Sequence, residues 1–216
     1  MKFIARMGDI LPYKNWMEYE EYLVSGEWHI HTNYVDGENS VDEYCKRAVE
    51  LRIPLIVFAE HVRRELTYNY RALVEEIIMA RRNYPELLIL IGCEAKVLED
   101  GGLDVSEDVL RRSEIVLMAF HSFPVNKGRY VEALKRALSN PRVDIWAHPG
   151  LFLRTKNFSL SEEEVEVIFE IASQRNVLIE LNEKYNLPSR GWVEIGKKRG
   201  VKFVRGSDVH HVGELK

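Results

Sequence analysis

Two histidines at alternate positions, His29 and His31, mark the part of the chain that is best suited to chemistry. In a β-strand, residues i and i+2 point to the same side, so both imidazoles can reach one cation. Asp36 and Gly37 follow, and they predict a turn that brings a carboxylate back over the end of that strand. A lone His-x-His pair also fits the polar edge of a strand, so the interpretation depends on further ligands of the same kind.

Further residues of metal-ligand type lie at the ends of short apolar runs. One such histidine alone is usually a hydrogen-bonded core residue. A whole set is different, because parallel strands of a barrel end at one rim and unpaired polar groups there are costly to bury. Nitrogen and oxygen ligands without thiolate favour zinc, manganese or iron, and their number predicts two to three divalent ions. The candidate metal ligands are His29, His31, Asp36, His61, Glu94, His121, His148, Asp208 and His210.

The elements that must position these residues alternate along the chain. Seven short runs rich in Val, Ile, Leu and Phe show little alternation of polarity, which is typical of strands buried on both faces. Amphipathic segments separate them, and such alternation predicts parallel strands with helical crossovers. A complete eight-stranded barrel typically has ~250 residues. We therefore predict an α/β fold, a distorted seven-stranded (β/α)7 TIM-like barrel, with strands over 28–32, 55–60, 87–94, 115–121, 144–148, 177–182 and 201–207.

The predicted helices lie between these strands, and Ser40 with Glu43 forms a capping box at the start of one of them. Helical spacing of aromatic residues predicts a short helix over 15–24 that packs on the side or bottom of the barrel. No repeat or linker divides the chain, so we expect a single barrel domain over 1–216 with 1–26 as an N-terminal extension. The other predicted helices are 41–51, 70–83, 105–112, 130–138, 161–175 and 191–199.

Composition argues against several classes of protein. The chain has 216 residues and a net charge of −4, which gives no basic field for nucleic acid. Its apolar runs are too short to cross a bilayer, and residues 1–26 lack the apolar core of a secretory signal. The cytoplasm is therefore the expected location. Cys45 and Cys93 form no Cys-x-x-Cys pair, and neither is expected to bind metal.

Taken in order, these motifs resemble those of the polymerase and histidinol phosphatase (PHP) family of metal-dependent phosphoesterases. The resemblance covers nearly everything from residue 28 onward, and it implies a distorted barrel of seven strands. The ordered series is far more specific than a single His-x-His pair. The matching pieces are His29-x-His31-Thr32, Asp36-Gly37, Glu60-His61, Gly92-x-Glu94, His121, His148-Pro149 and Gly206-Ser207-Asp208-x-His210.

The resemblance also implies roles for the ligands. Glu94 would bridge two ions, and Glu94, Asp208 and His210 are expected to be catalytic. Asp36 stands where some members have a histidine, which would alter the third ion. The sequence ends six residues after His210, which is earlier than the resemblance leads us to expect. A terminal helix or specificity element of the family is therefore expected to be missing from it. The implied ligand sets are His29, His31, Glu94 and Asp208; Glu94, His121 and His148; and Asp36, His61 and His210.

Substrate recognition must come from the loops that follow the strands. Guanidinium groups there could bind phosphate oxygens, although a solvated loop cation is the plainer interpretation of each. We expect Arg154 and Arg190 to bind substrate, because both follow rim strands directly, and Asn182 to bind substrate or a metal-bound water. Glu60 is expected either to orient a histidine or to cap the next helix.

Three functions remain open at this point. The first is a phosphomonoesterase that hydrolyses a small phosphorylated metabolite by metal-bound hydroxide, with histidinol phosphate as one candidate through the resemblance. The second is a phosphodiesterase or nuclease acting on nucleotides or single-stranded nucleic acid, against which the negative net charge counts. The third is a non-catalytic, metal-stabilised binding domain, against which the complete ligand set counts. The first is favoured.

Overall fold

The computed structural model describes residues 13–216, and its strands form one sheet. Every neighbouring pair of strands is parallel, and the order in space is the order in sequence. The strands are β1 Glu27–Ile30, β2 Leu55–Val62, β3 Leu88–Lys96, β4 Ile115–Ala119, β5 Ile145–Trp146, β6 Leu178–Asn182 and β7 Phe203–Gly206.

Helices connect the successive strands, so the predicted seven-stranded (β/α)7 barrel is confirmed. Short 3₁₀ helices lie at Asn15–Tyr22 and Val212–Glu214. The predicted capping box is present at the start of the first α-helix, where the Ser40 side chain accepts from the amide of Glu43. The α-helices are α1 Val41–Leu51, α2 Tyr70–Asn83, α3 Glu107–Arg112, α4 Lys127–Leu138, α5 Leu151–Thr155, α6 Glu162–Gln174 and α7 Arg190–Lys198.

The barrel closes between β1 and the segment that follows β7. Ile30 and Val209 form a parallel bridge there. The Val209 amide donates to the carbonyl of His29 at 2.9 Å, and the His31 amide donates to the carbonyl of Val209 at 2.8 Å. The seam therefore lies between two segments that carry candidate ligands.

Two apolar clusters hold the fold together, one between the sheet and the helices and the other inside the barrel. The inner cluster takes alternate residues of each strand, such as Leu55, Val57 and Ala59 of β2. Trp16 and Leu23 belong to this inner cluster although they precede the first strand. The segment from residue 13 onward therefore packs against the barrel interior.

Polar anchors fix the same segment. The Trp16 indole donates to the carbonyl of Asn176 at 2.9 Å. The buried Lys14 ammonium donates to the carbonyls of Pro141 and Val143. Burial lowers the pKa of Lys14, and the charge of Asp144 opposes that effect. The predicted extension over 1–26 is described only from residue 13, so the single-domain organisation over 1–216 stays a prediction.

Some predicted elements differ in extent. The short helix predicted over 15–24 is a 3₁₀ helix at Asn15–Tyr22, and Tyr19 interrupts it with φ −120°. Strand β5 is only two residues long, and α5 was not predicted because five residues give no clear helical period. Helix α5 follows Gly150, whose φ of 94° allows the sharp turn after β5. Within residues 13–216, no helix is both long and apolar enough to cross a membrane.

Candidate metal centre

The nine candidate ligands converge at the carboxyl end of the barrel. Each follows from its place in a strand or just after one, because parallel strands deliver their last residues to a common rim. His61 and Glu94 are register partners on β2 and β3. His121 and His148 come directly after β4 and β5.

Glu94 lies at the centre of this group and is fully buried. Its Oε1 is 2.8 Å from His148 Nε2 and 3.2 Å from His121 Nε2. Its Oε2 is 2.6 Å from His61 Nδ1. Burial opposes ionisation of Glu94, but the surrounding histidines, His121 and His29 foremost, hold its pKa well below the usual value. The two oxygens of one carboxylate thus face different histidines.

The alternate histidines of β1 meet as the sequence predicts. His29 Nε2 and His31 Nε2 are 3.0 Å apart. Asp208 Oδ1 lies 3.1 Å from His31 Nε2 and 3.8 Å from His29 Nε2. His29 Nε2 is also 3.7 Å from Glu94 Oε1. Four ligand side chains therefore surround one small volume between β1 and β3.

Asp36 completes a more open edge of the site. Its Oδ2 is 3.3 Å from His61 Nε2 and 3.5 Å from His210 Nε2. Hydrogen bonds to these two histidines depress the pKa of Asp36 far below its usual range. The Asp36 side chain is 48% exposed, unlike the buried Glu94, so this edge faces solvent.

Donor atoms in three groups lie close enough to hold an ion, within 4.8 Å of one another. They differ in part from the sets that the resemblance implies. His31 joins the group around Asp36, and His61 joins the group around Glu94 and His121. The groups are His31, Asp36, His61 and His210; His29, His31 and Glu94; and His61, Glu94 and His121.

Unsatisfied buried atoms indicate that this donor set fits cations. His61 Nδ1 and Glu94 Oε2 face each other at 2.6 Å, yet neither has a hydrogen-bond partner. His121 Nδ1 and His31 Nδ1 are also buried without one. A buried polar atom without a partner costs free energy, and a bound cation removes that cost by taking lone pairs.

Carboxylates behind the histidines fix their orientation. Glu180 Oε1 lies 2.7 Å from His29 Nδ1, which leaves Nε2 free to face the site. Glu60 Oε1 accepts from the amide and the hydroxyl of Thr32, while its Oε2 lies 3.9 Å from His31 Nδ1. Of the two roles expected for Glu60, the structure favours orientation of the segment that carries His31.

Charge and burial give these histidines different pKa values. Burial lowers the pKa of His31 to about 4. Burial also opposes protonation of His61, but the Asp36 and Glu94 carboxylates raise its pKa to about 10. His29 behaves likewise, since Glu180 and Glu94 outweigh burial and raise its pKa well above the usual value. The metal-free site therefore binds protons where cations would bind.

Two of the candidate ligands have a strained backbone. His148 has a φ of 31° and Asp208 a φ of 51°, and residues other than glycine rarely adopt such positive φ angles. The His148 amide donates to Glu180 Oε2, which helps to hold the first of these turns. Such strain is concentrated at functional sites, where surrounding contacts maintain it.

The structure places the three expected substrate-binding residues outside the ring of ligands. Arg190 begins α7, is 94% exposed, and pairs with Glu194 at 3.4 Å. Arg154 Nη1 donates to the carbonyl of Tyr185 at 2.9 Å. Asn182 is buried, and its amide donates to Glu180 Oε2 and accepts from the Tyr185 amide. Their binding of substrate stays a prediction, and each already has a partner in the protein.

Sequence reasoning missed two residues that adjoin the ligands. Lys184 Nζ donates to the carbonyl of Asp208 at 3.0 Å and lies 3.1 Å from His210 Nδ1. Tyr185 packs edge-on against the His148 ring, and burial together with the charge of Asp208 raises the pKa of its hydroxyl above the usual value. The only feature of the sequence that could have indicated their nearness to the ligands is their place in the loop just after β6, which ends at Asn182.

The profile of the PHP domain family matches residues 27–184. This match covers most of the chain, and seven of the nine candidate ligands lie within the matched residues. The chain belongs to the PHP domain family.

Individual relatives support the same assignment. The chain is 27% identical over 205 residues to the DNA polymerase/3'-5' exonuclease PolX of Bacillus subtilis, covering 89% of this chain and 35% of that protein. It is 35% identical over 144 residues to a protein of Acetivibrio thermocellus named probable phosphatase, covering 60% of this chain and 57% of that protein. The chain thus spans less than two thirds of the length of these relatives.

Solved structures share the fold. A protein from Listeria monocytogenes, provisionally assigned as a histidinol phosphatase, aligns with a TM-score of 0.71 at 18% identity over 88% of this chain and 96% of that one. The histidinol phosphate phosphatase from Lactococcus lactis, solved with zinc, L-histidinol and phosphate, aligns with a TM-score of 0.68 at 15% identity over 86% of both chains.

Proposed function

We propose that this protein is a metal-dependent phosphomonoesterase acting on a small phosphorylated metabolite. The observation that carries the proposal is the arrangement around Glu94, whose two carboxylate oxygens face His148 and His121 on one side and His61 on the other. A carboxylate shared between two histidine sets suits a cluster of ions, and ion clusters serve phosphoryl transfer. The names of the relatives add independent support.

The ligands proposed to hold two to three divalent ions are the nine that converge. Zinc is the first candidate, because the Lactococcus lactis protein was solved with it, and manganese and iron suit the same donors. When bound, such ions polarise phosphoryl oxygens and acidify water. Asp208 and His210 are proposed as catalytic with Glu94, since His210 lies 3.5 Å from Asp36 at the open edge and 3.7 Å from Asp208 behind it.

The chain's own residues provide geometry for this chemistry. Glu180 keeps the Nε2 atom of His29 turned inward, and the buried amide of Asn182 holds Glu180 in place. His210 Nδ1 lies 2.9 Å from the carbonyl of Asp208, which can accept a hydrogen bond from a protonated Nδ1 and leave Nε2 facing Asp36. The ligands are thus oriented before any substrate arrives.

A diesterase is the second candidate, and the match to PolX over 205 residues favours it. The net charge of −4 counts against binding a long nucleic acid. Histidinol phosphate is a candidate monoester through the Lactococcus lactis structure. The cytoplasmic location stays a prediction.

One comparison tests the proposal. Purified protein is loaded with zinc or manganese, and turnover of an aryl phosphate monoester is compared with that of an aryl phosphate diester. We expect metal-dependent turnover with kcat/KM at least ~10-fold higher for the monoester, which corresponds to about 1.4 kcal/mol of transition-state preference. A preference for the diester would favour the second candidate, and no turnover of either ester with metal bound would contradict both.

A further inference from the structure

We propose that Lys184 and Tyr185, adjacent on the loop after β6, bind the phosphoryl group beside the metal ligands. This inference rests on the proposed phosphoesterase function, because it names side chains that hold the phosphate of that substrate. The ligand is an inorganic phosphate or a phosphomonoester dianion.

Lys184 is the cation nearest to the site. Its Nζ is 3.9 Å from Asp208 Oδ2, and within residues 13–216 no other lysine or arginine forms an ion pair with a candidate ligand. The side chain is 32% exposed, so an anion in solvent can reach it. A charge at this place can reach an anion that enters at the rim.

The proton on His210 decides how much of the ammonium is available. His210 Nδ1 lies 2.9 Å from the carbonyl of Asp208 and 3.1 Å from Lys184 Nζ, so it donates to the first or accepts from the second. If Nε2 of His210 is to bind a cation beside Asp36, it must be unprotonated. The ring proton is then on Nδ1, which donates a hydrogen bond to the Asp208 carbonyl. Lys184 then keeps one bond, to the carbonyl of Asp208, and two N–H groups are free for phosphate oxygens.

Tyr185 borders the other side of the same volume. Its ring lies 6.2 Å from that of His148 at an interplanar angle of 86°. Lys184 Nζ is 5.8 Å from the centroid of the Tyr185 ring. The two residues therefore extend from the His210 side of the site to the His148 side, and the phenol adds a neutral donor to the ammonium.

The loop that carries them is held on three sides. Asn182 and Leu187 exchange backbone hydrogen bonds at 2.7 and 3.1 Å. The Tyr185 amide donates to Asn182 Oδ1 at 3.0 Å, and its carbonyl accepts from Arg154 Nη1 at 2.9 Å. This fixed loop costs little ordering entropy on binding. Arg154 thereby acts through the loop rather than on the phosphate.

Phosphate binding to the metal-loaded protein tests the inference directly. Inorganic phosphate is titrated calorimetrically into wild type, Lys184→Met and Tyr185→Phe, with bound metal measured in each. Loss of a charged hydrogen bond should weaken phosphate binding by ~10- to ~100-fold in Lys184→Met, and by about 3- to 10-fold in Tyr185→Phe. Lys184→Arg should recover most of the loss.

Matched controls are available far from the rim. Lys135→Met removes a lysine that is 34% exposed and pairs with Glu132, and Tyr84→Phe removes a hydroxyl that donates to Asp42. Both should bind phosphate within about twofold of wild type. Lys184→Met and Tyr185→Phe, unlike these controls, should raise KM for a monoester more than they lower kcat.

Three results would overturn the inference. The first is phosphate affinity in Lys184→Met and Tyr185→Phe within twofold of wild type, and the second is no phosphate binding by wild type. The third is loss of metal from Lys184→Met, which would mean that the ammonium supports the metal ligands rather than the phosphate. Wild-type protein that binds phosphate through Lys184 but hydrolyses no monoester would refute the proposed function and leave this inference standing.

Discussion

His61 and Glu94 are register partners on neighbouring parallel strands, and their side chains meet at 2.6 Å with no hydrogen bond on either facing atom. The sheet itself fixes this encounter, because partners in a parallel ladder present their side chains to the same face. The other oxygen of Glu94 faces His148 and His121. The central carboxylate therefore joins ligands from four consecutive strands or their ends.

Replacing Glu94 by glutamine should remove at least one bound ion, because an amide is a much poorer cation ligand than a carboxylate. We expect kcat to fall by about 10³-fold or more, equivalent to roughly 4 kcal/mol. Metal analysis and steady-state kinetics check this. The control is Glu99→Gln, which only disturbs a surface pair with Arg129. Full metal content and normal turnover in Glu94→Gln would refute the bridging role.

Gly206 is predicted to be indispensable for a spatial reason. A Cβ at this position would overlap the carboxylate of Glu180, the group that orients His29. Gly206→Ala should therefore weaken metal binding by ~10- to ~100-fold, as loss of an outer partner of a ligand does. Competition with a chelator measures it. Gly128→Ala is the control, since the nearest atom to its Cβ is 3.6 Å away; equal affinities in the two variants would contradict the argument.

Metal uptake should release protons near neutral pH. His61 has a pKa raised to about 10 in the metal-free protein, and the pKa values of His29 and His148 are also raised, so these imidazoles lose protons when they bind a cation. His31, whose pKa is lowered to about 4, contributes none. Calorimetric titration of metal in two buffers of different ionisation enthalpy should show release of roughly one or more protons per protein. Heats that are independent of buffer would contradict this.

The same pKa shift predicts the pH dependence of stability without metal. Because the folded pKa of His61 lies above the ordinary value of 6.5, its contribution to stability is complete below about pH 6.5 and is lost as pH rises through about 10. Urea unfolding of metal-free protein at pH 6.5 and 9.5 should show lower stability at the higher pH. His61→Asn should reduce that difference, and an unchanged difference would assign it to other groups.

Trp16 should matter for stability and not for metal binding, because it fills the barrel interior away from the rim. Trp16→Ala should lower the free energy of unfolding by ~3–5 kcal/mol. Val24→Ala in the same segment should change it by less than about 0.5 kcal/mol, since Val24 is 73% exposed. Denaturant unfolding measures both, with metal content as the second readout; a Trp16→Ala protein of normal stability would contradict the packing argument.

The sequence predicts which residues lie together at the rim because their placement depends on two local rules, and their binding of metal stays a prediction. Apolar runs define strands, and the residues that end parallel strands share one edge, so Glu94 and His148 need no knowledge of loop paths. Lys184 and Tyr185 were missed because their position depends on the backbone pairing of Asn182 with Leu187. The substrate role expected for Arg190 stays a prediction, because nearness in sequence to a strand end does not fix where a side chain points.

The seam between Ile30 and Val209 has a consequence for how the protein is made. His29 and His31 flank one side of it, and Asp208 and His210 flank the other, so the first and last ligands of the chain meet only when the barrel closes. A ribosome delivers these two groups about 180 residues apart, at 5–20 residues per second. A nascent chain that lacks the last segment therefore holds an open and incomplete set of candidate ligands, and only the finished barrel brings all nine together.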